Sequence, residues 1–146
     1  MERRNFLKSS CNICLLGAAG FLLPQLTGCS GGTKYSVYKT AINNNAVQVP
    51  LNLFDTTPVQ FVRPNGWYFD IAVEKKADNT YRALLLQCTH QENQLNITGN
   101  GYSCSLHGSQ FDKEGNVRKG PAEKSLEQYA TFIDNNNLII KVPQTP

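Results

Sequence analysis

The sequence predicts an all-β fold, an antiparallel sandwich or barrel of short strands. Three observations predict it. Segments of four to seven strand-type residues recur along the chain. Clusters of Asn, Gly and Pro separate them, and only one short piece, residues 122–128, is a plausible helix.

Taken in order, residues 35–39 and 46–49 are the first strands, split by Asn43-Asn44-Asn45. Residues 60–63 follow, closed by Pro64-Asn65-Gly66. Residues 67–73 and 81–87 are expected to form a hairpin around Ala77-Asp78-Asn79. Residues 129–133 and 138–142 flank Asp134-Asn135-Asn136-Asn137, a second hairpin signal. Asn and Gly suit these turns because they adopt left-handed backbone at little steric cost. Residues 143–146 are expected to fray. Asn96-Ile97-Thr98 matches a glycosylation sequon and is assigned no role.

The chain has 146 residues, enough for one domain with a modest core. Its formal net charge of +3 is unevenly placed: Arg3, Arg4 and Lys8 stand against Glu2 at the start. From Cys29 onward there are 11 Lys and Arg against 10 Asp and Glu. No basic face with interleaved aromatics results, so nucleic-acid binding is not expected.

The first 28 residues read as an address. A basic start is followed by an apolar run over residues 13–23, ended by Pro24, which is the layout of an export signal. Arg3-Arg4-Asn5-Phe6-Leu7-Lys8 looks like a twin-arginine signal. Leu26-Thr27-Gly28-Cys29 resembles a bacterial lipobox, which implies cleavage before Cys29 and a lipid on its sulfur. Residues 29–34 are then a lipidated tether. The alternative is an uncleaved membrane helix. Residues 13–28 would span about 24 Å at 1.5 Å per residue, short of the roughly 30 Å of a bilayer core. The Cys11-Asn12-Ile13-Cys14 pair lies inside the expected signal and is assigned no chemistry.

Cys88-Thr89-His90 and Cys104-Ser105-Leu106-His107, separated by thirteen residues, carry the chemistry. Thiolate sulfur is a soft donor and imidazole a neutral nitrogen donor. A Cys₂His₂ zinc site is one reading, but zinc fingers group Cys with Cys and His with His. Here each cluster runs Cys then His, which suits two loops approaching one cofactor from opposite sides. The mature chain has no further His, and its remaining Cys is at the lipid position.

The motif resembles the Rieske family, in which two Cys hold one iron of a [2Fe–2S] cluster and two His the other. The resemblance covers roughly residues 85–125 and implies a Rieske-like antiparallel β-sandwich over residues 35–143, with a small cluster-binding subdomain of two loops. It implies Cys88, His90, Cys104 and His107 as metal ligands. His107-Gly108-Ser109-Gln110-Phe111-Asp112 looks like the family's second loop, residues 112–117 like the hairpin after it, and Gly120-Pro121-Ala122 like the proline loop that covers the cluster. Replacing two thiolates by imidazoles removes negative charge and raises the potential to roughly −150 to +300 mV.

Two departures stand out. Asn93 and Leu106 occupy positions where cytochrome bc-type members carry a disulfide between the loops. Ser109 keeps a hydroxyl that the family aims at the cluster sulfurs, whereas Phe111 stands where a Tyr hydroxyl would be. Donors to the sulfurs favour the reduced cluster. Losing one, with Glu92 two residues from His90, implies a potential below the cytochrome bc type.

The function implied is one-electron transfer by a membrane-anchored protein facing the periplasm or cell surface of a bacterium. Redox proteins are the expected partners, with no catalytic site of the chain's own. Alternatives are a Rieske subunit of a quinol-oxidising cytochrome bc-type complex, a subunit of a periplasmic oxidoreductase, and a non-redox zinc module. A Rieske oxygenase needs a further mononuclear iron held by two His and a carboxylate, and this chain's two His are already used.

Overall fold

A computed structural model of the protein describes residues 35–144. The expected signal, the tether with Cys29, the Cys11 and Cys14 pair, and residues 145 and 146 lie outside them.

The described chain is built of short strands: β1 (Val37–Thr40), β2 (Ala46–Pro50), β3 (Val59–Pro64), β4 (Ile71–Lys75), β5 (Tyr81–Leu85), β6 (Asn96–Thr98), β7 (Gly101–Ser103), β8 (Gln110–Phe111), β9 (Val117–Lys119), β10 (Gln128–Tyr129), β11 (Thr131–Asp134) and β12 (Asn137–Lys141). One sheet has the order β1-β3-β4-β5-β10, a second β11-β12-β2, and a third β6-β7-β8-β9. All pairings are antiparallel except β1 with β3, which is parallel. The all-β expectation holds, with that one parallel edge added.

The turns form where Asn and Gly stand. Asn44, Asn45, Asn79, Asn135 and Asn136 all have positive φ. The second of the two expected hairpins, β11–β12, pairs Asp134 with Asn137. The first, β4–β5, begins later than expected: residues 67–70 are not strand. Trp67 donates its backbone N–H to Pro64 O in a turn, and its indole N–H to Gln144 O at 3.1 Å. That second bond also holds Gln144, which was expected to fray.

A further expectation fails. Residues 122–128 are not helical, and among the described residues the one helical turn is a 3₁₀ segment at Leu51–Phe54. The backbone groups of 122–128 have distant partners instead. Ala122 N–H bonds Ser109 Oγ, Leu126 N–H bonds Gly115 O, and Glu127 O accepts from Leu85 N–H. A helix would need those groups for its own i→i−4 ladder.

The β4–β5 hairpin is buried on both faces. Ile71, Val73, Ala83 and Leu85 point into the main core with Val49, Val62 and Ile140. Ala72, Leu84 and Leu86 point the other way, into a second core with Cys88, Leu95, Cys104 and Phe111. Alternation with period two sends successive side chains to opposite faces. The run Ala83-Leu84-Leu85-Leu86 is therefore continuous because both faces are dry. The main core stabilises the sandwich; the second one is the floor of the two Cys-His loops.

Candidate metal centre

The two loops are built alike. Cys88 N–H donates to Asn93 O at 2.8 Å, and Cys104 N–H donates to Ser109 O at 2.8 Å. Each loop thus closes over six residues with Cys first, and the His two or three places later sits at its crest. The first loop rises from β5: Leu95 N–H bonds Leu86 O at 2.9 Å, and Gln87 pairs with Gln94. The second connects β7 to β8. Gly108, at φ +78°, bends it back, and its N–H bonds Cys104 O at 3.1 Å.

Gly101 lets the β7–β8 pair close. At φ +143° any Cβ there would lie 2.1 Å from Phe111 O, so only Gly fits.

The loops bring all four expected ligands to one end of the domain. Cys88 and Cys104 are buried free thiols, whereas His90 and His107 are exposed. The imidazole rings meet edge to face, with centroids 5.0 Å apart and planes at 87°. Burial pushes the Cys104 thiol up, but hydrogen bonds from the Leu106 and His107 backbone, Cys88 and Asn93 bring it below the ordinary thiol value. A stabilised thiolate is the form that binds metal.

The arrangement fits a diiron cluster better than a single ion. The donors come as a buried sulfur pair and an exposed nitrogen pair. A [2Fe–2S] cluster asks for that division, since each iron takes two protein ligands. A tetrahedral zinc site would need all four around one centre.

Ser109 is fully buried beneath the loops. Its Oγ accepts from Ala122 N–H at 3.0 Å, which leaves its own proton for a second partner. A buried hydroxyl donor without a partner is costly, so this one suits an acceptor such as a cluster sulfur. Phe111, 1% exposed, packs in the same core and offers no donor. Pro121 follows a cis peptide from Gly120 and is exposed. Its segment is held over the first loop by Thr89, whose hydroxyl donates to Lys124 O at 2.6 Å. A cavity of about 300 Å³ opens there beside His90, lined also by Cys88, Glu92, Lys124 and Glu127.

Two residues shape this end through contacts that the sequence did not show. Gln94 accepts the Asp70 N–H on Oε1 at 3.0 Å, fastening the first loop to the sandwich. Asn93 donates from Nδ2 to Cys104 Sγ at 3.8 Å, crossing from one loop to the other. Gln94 has no sequence signal beyond its closeness to a ligand, and Asn93 stood out only as the position of an absent Cys.

Comparison with known proteins agrees with this geometry. The family model of the Rieske [2Fe-2S] domain matches residues 42–130. Cytochrome b6-f complex iron-sulfur subunit 1 of Trichormus variabilis is 30% identical, over 86% of this chain and 72% of that protein. The chloroplastic subunit 2 of Nicotiana tabacum is 29% identical, over 95% of this chain and 65% of that one. Among solved structures, the plasma membrane Rieske protein PetC3 of Synechocystis superposes with a TM-score of 0.52 at 25% identity, covering 64% of this chain and 96% of that one. The zinc alternative loses its support. The chain belongs to the Rieske family, and its cofactor is a [2Fe–2S] cluster.

Proposed function

We propose that the protein is a one-electron carrier in which Cys88 and Cys104 hold one iron of the cluster and His90 and His107 the other. The observation that carries this reading is the pairing of buried thiols beneath exposed imidazoles that meet at 5.0 Å. The cluster supplies one-electron redox chemistry. The protein's own residues do the rest. The second core excludes water from the sulfur side. The loop closures at Asn93 and Ser109 fix the Cys positions. The exposed His edges give a redox partner a short path.

We further propose that residues 1–28 are a twin-arginine-type signal, that Cys29 carries a lipid, and that the domain faces the periplasm. Support comes from the residue pattern of the first 29 positions. Among the described residues no helix is long and apolar enough to cross a membrane. A second reading, a subunit of a quinol-oxidising complex, is favoured by the 30% identity to a cytochrome b6-f subunit. Its test is whether the native protein co-purifies with a membrane cytochrome.

Electron paramagnetic resonance of the dithionite-reduced protein tests the core claim. The expected result is the rhombic signal of a His-ligated [2Fe–2S] centre, lost or altered in His90→Ala and His107→Ala. A silent sample with stoichiometric zinc would overturn it. For the anchor, Cys29→Ser should move the protein from the membrane to the soluble fraction; unchanged membrane retention sinks the lipid assignment.

A further inference from the structure

Asn93 touches both loops. Its backbone carbonyl closes the first, accepting from Cys88 N–H at 2.8 Å. Its side chain leaves that loop and donates to Cys104 Sγ at 3.8 Å. The same Nδ2 donates to Gln94 O at 3.1 Å. An amide nitrogen has two protons, so both bonds can be made at once. The Gln94 carbonyl also fixes which way the amide points, because a flip would set Oδ1 against a carbonyl oxygen.

The bond has two consequences. Both cysteines of the described residues are free thiols, so the loops rely on non-covalent ties. Leu106, opposite in the second loop, is 58% exposed and makes no equivalent tie. Asn93 is thus a direct side-chain link from the first loop to a sulfur of the second. The sulfur it reaches is an expected ligand. Donation to a ligand sulfur is stronger when the cluster carries its extra electron, and so favours the reduced form.

We propose that Asn93 is a positioning and tuning residue for the cluster, tying the first loop to Cys104 and raising the reduction potential by donating to its sulfur. The proposal rests on Cys104 being a ligand. It partly offsets the donor that Phe111 lacks.

The test compares the full protein with Asn93→Leu and Asn93→Gln. Leu has similar size and no donor; Gln keeps the amide. At a fixed ambient potential, Asn93→Leu should lower the reduced-to-oxidised ratio roughly fivefold, the size of one ordinary hydrogen bond. Asn93→Gln should restore most of it. A merely structural role would change cluster retention in both variants without this ordering of potentials. Asn93→Leu with an intact spectrum and an unchanged potential overturns the proposal.

If Asn93→Leu does not fold, wild-type protein carrying ¹⁵N in its Asn side chains decides. Pulsed resonance on the reduced cluster should detect a labelled amide nitrogen coupled to it, and no coupling overturns the proposal. Wild-type protein without a [2Fe–2S] spectrum overturns the ligand assignment itself, and that failure appears before any variant is compared.

Discussion

The backbone N–H of Ala122 donates to Ser109 Oγ at 3.0 Å in a buried contact. The bond joins the segment after Pro121 to the end of the second loop. Ser109→Ala leaves the Ala122 N–H unpaired out of water. A buried donor stripped of its partner costs about 1–3 kcal/mol. The denaturation midpoint of the metal-free protein should fall accordingly. The potential of the loaded protein should fall too, because the hydroxyl proton is also lost. A lower midpoint with an unchanged potential would show that the proton points elsewhere.

Phe111→Tyr should act in opposite directions on the two forms. Phe111 lies in the core that holds Cys88 and Cys104. A new hydroxyl there has no assigned partner in the metal-free protein, which should lose about 1–3 kcal/mol. In the loaded protein the hydroxyl can donate to the cluster, and the potential should rise. Redox titration beside denaturation of the metal-free form separates these effects. No upward shift in a folded, loaded variant counts against Phe111 facing the cluster.

Thr89 lies between Cys88 and His90, and its hydroxyl reaches Lys124 O at 2.6 Å. Thr89→Val keeps the shape and removes the donor. The cost to stability should be about 1 kcal/mol, typical of one partly exposed hydrogen bond. The clearer effect is on retention. With the 122–126 segment released, the cavity beside His90 widens and a chelator reaches the metal more easily. Loss of visible absorbance under excess chelator should be several-fold faster than in wild type. Equal rates would mean that this bond does not restrict access.

The sandwich was legible because its turns are chemical. Asn residues sit at left-handed positions in the β4–β5 and β11–β12 turns, and the strands between them show it by composition. The two Cys-His pairs were legible because each Cys stands two or three residues before its His, and the structure brings the two loops together with the imidazole rings 5.0 Å apart. The small sheet was less so: β6 to β9 hold two or three residues each, too few for a period to emerge. Residues 122–128 misled because Ala122 and Leu126, four apart, are both buried and look like one helix face. What decides that segment is a set of partners far away in sequence: Ser109, Gly115 and Leu85. Asn93 was noted as a missing Cys, and its bond to Cys104 depends on how the two loops face each other.

Tyr35 gives a pH test. Burial, then its hydrogen bond to Asp70 and the Asp70 charge, push the phenol well above its ordinary value of 10.0. A folded-state value above the unfolded one means that the stabilisation is full below about pH 10 and fades as pH rises beyond it. Tyr35→Phe should therefore cost about 1–2 kcal/mol at neutral pH. The gap between variant and wild type should close at strongly alkaline pH. A gap independent of pH up to alkaline unfolding would show that the hydroxyl proton is not the linked group.

The sharpest stability effect is expected at Arg63. Asp70 is fully buried, and its carboxylate accepts from Arg63 Nε at 2.6 Å, Arg63 Nη2 at 3.0 Å and Tyr35 OH at 2.8 Å. Its backbone serves the ligand end: Leu86 N–H bonds Asp70 O at 2.8 Å, and Asp70 N–H bonds Gln94 Oε1. Asp70 is buried but Arg63 is 35% exposed, so removing Arg63 strands a carboxylate that keeps only the Tyr35 hydroxyl, at about 3 kcal/mol, the low end for a buried pair. Arg63→Met should therefore lower the denaturant midpoint far more than a surface substitution does. Replacing both partners by apolar residues removes the stranded charge, so Arg63→Met with Asp70→Leu should be more stable than Arg63→Met alone. The cluster spectrum adds a second readout. Because Asp70 fastens the first loop through Gln94, Arg63→Met should broaden the resonance signal even where the protein remains folded. A double variant no more stable than the single one would show that Asp70 acts through its shape and backbone rather than through its charge.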